Sequence, residues 1–212
     1  MSARPRQQAE PAVTAQLLES LRAGDEAAFM QLVEALQPSL LRLAQNFVSS
    51  TAVAEEVVQE TWAAVLDGLA SFAGRASLKT WIFRILVNRA RTRGVREGRT
   101  TPFSALEPAD GHAVPGPESF APDGHWAQPP RRWDDNTPEV LFLRAEAMAV
   151  IEAALAALPA SQRSVLTLRD IEGCESDEVC HVLEISESNQ RVLLHRARSR
   201  LRAALAAYLE GE

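Results

Sequence analysis

Cysteine, long apolar runs and phosphate-binding loops are all scarce in this chain of 212 residues. Its two cysteines, Cys174 and Cys180, lie six apart around a polar Glu-Ser-Asp-Glu run. They are too few for a disulfide-framed secreted module and lack the four ligands of a structural zinc site. His181 stands beside Cys180, yet Cys180 falls where a small helix-packing residue belongs, and buried free cysteine is common. No metal and no cofactor is expected.

A membrane-spanning helix needs about 18 or more consecutive apolar residues, and no such run occurs. Residues 1–14 carry arginines, glutamines and prolines without the apolar centre of a signal peptide. The expectation is a cytoplasmic protein with no membrane insertion. An enzyme would need a glycine-rich phosphate loop, a set of metal ligands or a nucleophile with its base. Cys174, Cys180 and His181 are the only candidates, and the chain reads as a non-enzyme.

What is present is charge, unevenly placed. The net charge of −6 argues at first against a polyanionic partner. From Arg75 to Arg99, however, Arg75, Lys79, Arg84, Arg89, Arg91, Arg93, Arg96 and Arg99 face only Glu97, a net of +7. From Arg191 to Arg202 five arginines and no acid add +5, which leaves −18 for the rest. Two basic surfaces sit on an acidic body, as nucleic-acid binding requires.

Apolar periodicity along the chain is helical throughout, so the fold class is all-α with two helical domains. Residues 1–13 read as a disordered tail and residues 14–98 as the first domain. There Thr14 caps a helix to Arg22, Gly24-Asp25 breaks and recaps it, and Ala27 to Leu36 continues. Pro38 is expected to start another helix, with Leu40 to Val48 at helical spacing, and Ala52 begins the next, toward Leu69. On this fourth helix Glu56, Gln59 and Glu60 form an acidic stripe pointing away from Val57, Val58, Trp62 and Val65. Such a stripe suits a basic protein partner.

Residues 99–137 hold seven prolines and three glycines without apolar periodicity, and read as a long linker. Residues 138–209 form the second domain. A stripe from Val140 to Leu158 is closed by Pro159; Ser161 caps the next helix, Gln162 to Ile171; Gly173 ends it. From Ser176 onward the rhythm is helix, tight turn, helix, with Ser186 and Ser188 as caps and Arg191, His195 and Arg198 on the outer face of the last helix. That pattern fits the major groove of duplex DNA.

The most mixed stretch runs from Phe72 to Arg93 and reads as a helix. Leu78, Trp81, Ile82, Ile85 and Leu86 form an inward face, leaving Lys79, Arg84, Asn88 and Arg91 outside. Cations neutralise phosphates, aromatic rings stack on unpaired bases, and an amide reads a base edge, so the grouping suits single-stranded or melted DNA. Taken alone, one amphipathic helix with core aromatics and solvated arginines would look the same.

Four motifs in order decide between these. Arg22-Ala-Gly-Asp-Glu-Ala-Ala-Phe29, Ala54-Glu-Glu-Val-Val-Gln-Glu60, Thr80-Trp-Ile-Phe-Arg-Ile-Leu-Val-Asn88, and Leu158-Pro-Ala-Ser-Gln-Arg163 with His195-Arg-Ala-Arg198 together resemble the extracytoplasmic-function (ECF) sigma factors of bacterial RNA polymerase. The resemblance covers residues 14–205 apart from the linker. It implies that the two domains are sigma regions two and four, and that the partners are core polymerase and promoter DNA, with room for an anti-sigma factor.

The same resemblance implies roles for single residues. Glu56, Gln59 and Glu60 would meet the clamp helices of the polymerase's largest subunit. Phe72, Arg75, Lys79, Trp81, Arg84, Asn88 and Arg91 would melt and hold the minus-10 element as single strand, Asn88 lying near a flipped base. Arg169, Ser188, Gln190, Arg191, His195, Arg196 and Arg198 would bind the minus-35 duplex. The chain departs from the family at Glu184 and Ser188, which replace glycines, and at Gln190, which replaces a common valine. The acidic linker, with Asp110, Glu118, Asp123, Asp134 and Asp135, could run through the polymerase's basic channel. A stand-alone helix-turn-helix regulator is the competing expectation, and Trp81 with Asn88 beside Phe72 speaks against it.

Overall fold

The computed structural model describes residues 15–98 and 138–210; the tail and the linker read from the sequence lie outside them. Every regular element among the described residues is helical. The first domain comprises α1 (Ala15–Arg22), α2 (Glu26–Ala44), α3 (Thr51–Gly68) and α4 (Leu78–Arg96), with a 3₁₀ turn at Leu69–Ser71. The second comprises α5 (Pro138–Ala157), α6 (Ala160–Leu166) running into a π-type turn at Thr167–Ile171, α7 (Ser176–Leu183) and α8 (Glu187–Glu210).

Helix starts follow from side chains that take up backbone N–H groups left without helical partners. Asp25 accepts from Ala27 and Ala28 at 2.9 and 3.2 Å. Ser50 does so for Val53, Ser77 for Thr80, and Ser186 for Asn189. Ser161, expected as a cap, is instead buried inside α6, which starts a residue earlier behind Pro159.

Two further helix boundaries differ from the sequence expectation. Pro38 starts no helix, because α2 runs through it from Glu26 to Ala44. Leu32, Leu36, Leu40 and Leu43 stay on one buried stripe across the proline, and burying each apolar side chain is worth about 1.5–3 kcal/mol. That sum is comparable with or larger than the roughly 3 kcal/mol an internal proline costs. Phe72 in turn lies outside α4. After the 3₁₀ turn its backbone is extended, and Gly74 takes φ 67°, where an L side chain would be strained.

The first core joins the α2 stripe to Val57, Val58 and Val65 of α3 and to Ile82, Phe83, Leu86 and Val87 of α4. Trp62 closes it at one side, its ring edge-on to Phe29 at 5.7 Å and its indole N–H donating to Gln37 at 2.7 Å. In the second domain Val165, Leu166 and Leu168 meet Val179, Val182 and Leu183 of α7 and Leu193, Leu194 and Ala197 of α8. Gly173, at φ 70°, turns the chain so that the Cys174 N–H reaches the Leu168 carbonyl at 2.9 Å.

The domains touch where α7 lies against α4. Glu172 is the buried point of that contact: its carboxylate meets Arg42 of α2 at 2.5 Å and Lys79 of α4 at 3.9 Å, while the Lys79 ammonium donates to the Glu172 carbonyl at 2.8 Å. Among the described residues no helix is long and apolar enough to cross a membrane.

Candidate nucleic-acid and polymerase interfaces

The α4 helix begins behind its Ser77 cap, and its apolar residues fix three polar faces. Leu78, Ile82, Phe83, Leu86, Val87 and Ala90 point into the core. Trp81 and Ile85, expected with them, are only half-buried. Trp81 leans on the buried Phe72 ring, 5.0 Å between centroids at 43°, and its indole lies where a side chain on Gly68 would meet it at 3.0 Å. Phe72 is held from behind by Arg22, which donates to its carbonyl at 2.5 Å.

One polar face looks toward α3, where Arg89 pairs with Glu60 at 3.3 Å and Arg93 with Glu56. The acidic stripe Glu56, Gln59 and Glu60 is exposed as the sequence pattern requires. Its two carboxylates are nevertheless engaged by cations of the neighbouring helix, a pairing the periodicity of α3 does not reveal.

The middle of the helix is open. Asn88 is exposed and borders a hollow of about 470 Å³ with Glu60, Ile85, Arg89, Thr92, Arg93 and Arg96. An amide ringed by guanidinium groups offers both hydrogen-bonding senses beside positive charge. Arg75 is exposed in the segment before α4.

The third face meets α7. Arg84 lies 2.9 Å from the His181 ring nitrogen Nε2 and 3.0 Å from Glu184, and Arg91 donates to the Leu183 carbonyl at 2.6 Å. Burial pushes the Arg91 guanidinium below its ordinary value, and Glu184 pulls it back; arginine stays charged regardless. Thr80 donates to Glu178 at 2.6 Å. Burial pushes that carboxyl up, but the Thr80 and Ser77 hydroxyls, the Glu175 N–H and the Lys79 charge outweigh it and hold Glu178 below its usual range. Lys79, Arg84 and Arg91, expected outside on sequence grounds, are thus half-covered by the second domain.

On α8 the outer face carries Arg191, which is 72% exposed and held by Glu187 one turn back at 2.5 Å. Ser188 is exposed, its hydroxyl 3.0 Å from that of Ser186. His195 and Arg196 are half-buried. Arg198 forms a two-pronged pair with Asp170, at 2.6 and 2.9 Å, and Arg169 donates to the Cys174 carbonyl at 2.9 Å. Gln190 faces inward: it is buried, and its amide oxygen accepts from Ser176 at 3.2 Å, tying α8 to the start of α7.

The turn between α7 and α8 keeps a left-handed residue without a glycine, since Glu184 sits at φ 53°, ψ 47°. It is the one non-glycine residue at positive φ among those described. Cys174 is buried and Cys180 partly so; burial, with Glu187 and Asp177, pushes the Cys180 thiol up, away from the reactive thiolate.

Residues 32–100 match the family model for sigma-70 region 2, and residues 148–201 match that for sigma-70 region 4. RNA polymerase sigma-H factor of Pseudomonas aeruginosa is 30% identical over 194 residues, covering 92% of this chain and 94% of that protein. ECF RNA polymerase sigma-E factor of Escherichia coli K12 is 29% identical over 182 residues, 86% of this chain and 88% of that protein. Among solved structures, CnrH in complex with the cytosolic domain of CnrY has the same fold, with a TM-score of 0.56 at 23% identity over 91% of this chain and 96% of that one. The sigma factor RpoE of Bartonella quintana, in complex with the anti-sigma factor NepR, gives 0.54 at 22% over 84% and 96%. The chain belongs to the ECF-type sigma factors of bacterial RNA polymerase. It directs core polymerase to promoters, and its partners are that enzyme and promoter DNA.

Proposed function

We propose that the first domain captures the melted minus-10 strand on α4 and that α8 reads the minus-35 duplex. The observation that carries this is the hollow of about 470 Å³ at Asn88, ringed by Arg89, Arg93 and Arg96. A nucleotide pulled from the stack needs a concave seat, an amide for its base edge and cations for its phosphates, and these features meet there. Phe72, Arg75, Lys79, Trp81, Arg84 and Arg91 complete the surface, with Phe72 acting from beneath by propping the Trp81 ring.

On α8, Arg191 and His195 would read base edges, while Ser188, Arg196 and Arg198, with Arg169 from the turn after α6, would contact phosphates. Gln190 acts indirectly, by holding the hairpin shut. The stripe Glu56, Gln59 and Glu60 docks on a basic surface of the polymerase's largest subunit. Residues 14–98 and 138–209 are the two working domains, joined by the linker of residues 99–137. The protein acts in the cytoplasm and has no chemistry of its own. An anti-sigma factor is its proposed regulator, in keeping with the complexes in which CnrH and RpoE were solved.

Asn88→Ala tests the central assignment. Gel shifts on duplex promoter should change little, because closed-complex contacts come from α8 and the cations. Permanganate reactivity of the minus-10 thymines should fall, and a pre-melted template should restore only the part of the loss due to strand separation. Normal opening with unchanged minus-10 preference would make Asn88 a structural residue.

A further inference from the structure

The contact between the domains is made by charge on both sides. Arg42, Lys79, Arg84 and Arg91 come from the first domain; Glu172, Glu178, His181 and Glu184 come from the second. Their sequence separations run from 93 to 130 residues where a hydrogen bond joins them, so no local constraint imposes the pairing. The acids are spaced along the π turn and α7 so as to meet one stripe of α4: Thr80, Arg84 and Arg91 recur at helical spacing. The Leu183 carbonyl, at the negative end of α7, faces Arg91. For those cations, carboxylates and a helix C-terminus supply what phosphates would.

We propose that α7 is an internal stand-in for the DNA backbone, a latch that holds the free chain closed with one face of α4 covered, and that opens when a polyanion or the polymerase competes for either side. The closure itself stands on the interdomain pairs alone. Its consequence for DNA rests on the reading of α4 given above.

Closure covers only part of the helix. Thr80, Arg84 and Arg91 lie under α7, while the hollow at Asn88 stays open. A strand could therefore enter at Asn88 and displace α7 afterwards. Of the two best-formed pairs, Arg84–Glu184 has both side chains substantially exposed, whereas the Glu172 carboxylate in Arg42–Glu172 is only 4% exposed. Removing Arg42 should therefore open the latch more completely than removing Arg84, since a buried carboxylate deprived of its cation is costly to retain.

The test uses the full chain. In Glu172→Gln with Glu184→Gln neither changed residue belongs to the proposed DNA surface. Circular dichroism should be unchanged, the radius of gyration from small-angle scattering should rise, and a labelled short single-stranded DNA oligonucleotide should bind more tightly. If about nine in ten free molecules are closed, apparent affinity should rise about tenfold on opening. Arg84→Glu and Glu184→Arg should each expand the chain, and the two together should restore the compact radius. An unchanged radius in every variant would overturn the latch. Expansion with unchanged oligonucleotide affinity would overturn the competition and would count against α4 as the DNA surface, leaving closure intact.

Discussion

Arg84 and Glu184 meet at 3.0 Å although 100 residues separate them, and Glu184 does so from a backbone conformation that glycine would favour. The position serves two ends at once: it makes the turn of the helix-turn-helix and it carries a charge to the other domain.

Replacing that residue separates the two. Glu184→Gly should remove a left-handed penalty of about 1–2 kcal/mol, offset in part by glycine's larger unfolded-state entropy, about 0.5–1 kcal/mol, and by an exposed ion pair worth about 0–1 kcal/mol. The expected outcome is a second domain as stable or slightly more so, in a chain that is less compact. Hydrogen exchange at the α7–α8 turn, measured beside the scattering radius, checks both. Faster exchange at the turn would show that the side chain supports the turn.

The acidic stripe is tested by Glu56→Arg with Glu60→Arg. Binding to core polymerase should weaken markedly in a pull-down, because a cationic patch would then face the expected basic partner surface. Each reversal also places a guanidinium beside Arg93 or Arg89. Those pairs are exposed and worth about 0–1 kcal/mol each, so helicity should be retained. Undiminished pull-down would remove the stripe from the interface.

Arg191→Ala probes minus-35 reading. The side chain is 72% exposed and tethered only along its own helix, to Glu187, so its loss should leave the domain intact. If it reads a base edge, binding should fall by about 1–3 kcal/mol with preference relaxed at one promoter position. A uniform loss over all sequences, with a shallower salt dependence, would assign it to a phosphate.

Much of this was legible from residue order because helical periodicity states which side of a helix is buried. The inward Leu32 and Leu36 before the proline, the inward Leu40 and Leu43 after it, the caps Asp25 and Ser186, and the outward acids of α3 follow from spacing alone. Pro38 misled because a proline ends a helix only where packing on either side is too weak to continue it. Gln190 and Arg91 misled for another reason. Periodicity separates inside from outside for one helix, but cannot say that a polar position will be covered by a second one. A signal was present in the acids Glu172, Glu178 and Glu184, spaced six apart, in a domain otherwise expected to meet DNA.

Glu178 gives the domain contact a pH dependence. Its carboxyl is held below the ordinary value by partners that include Thr80, Ser77 and Lys79 of the first domain. A depressed carboxyl contributes stability that is complete above its unfolded value, about 4.3, and lost as pH falls through the lower folded value. Arg42, Lys79, Arg84, Arg91, Glu172, His181 and Glu184 are the other ionisable groups there. The scattering radius should rise on acidification below about pH 4.3, and less so in Glu178→Gln. An identical profile in that variant would place the titration elsewhere.

The tight seat of the Trp81 indole over Gly68 has a bearing on how this protein can diversify. An added methyl at 68 would lie 3.0 Å from one ring carbon and 3.3 Å from the next, closer than atoms settle without displacement. The indole cannot retreat freely, because the Phe72 ring lies on it, and Phe72 is anchored through Arg22. A side chain at position 68 is therefore admitted only where the Trp81 ring gives way by a few tenths of an ångström, so Gly68 and the placement of that ring can change only together.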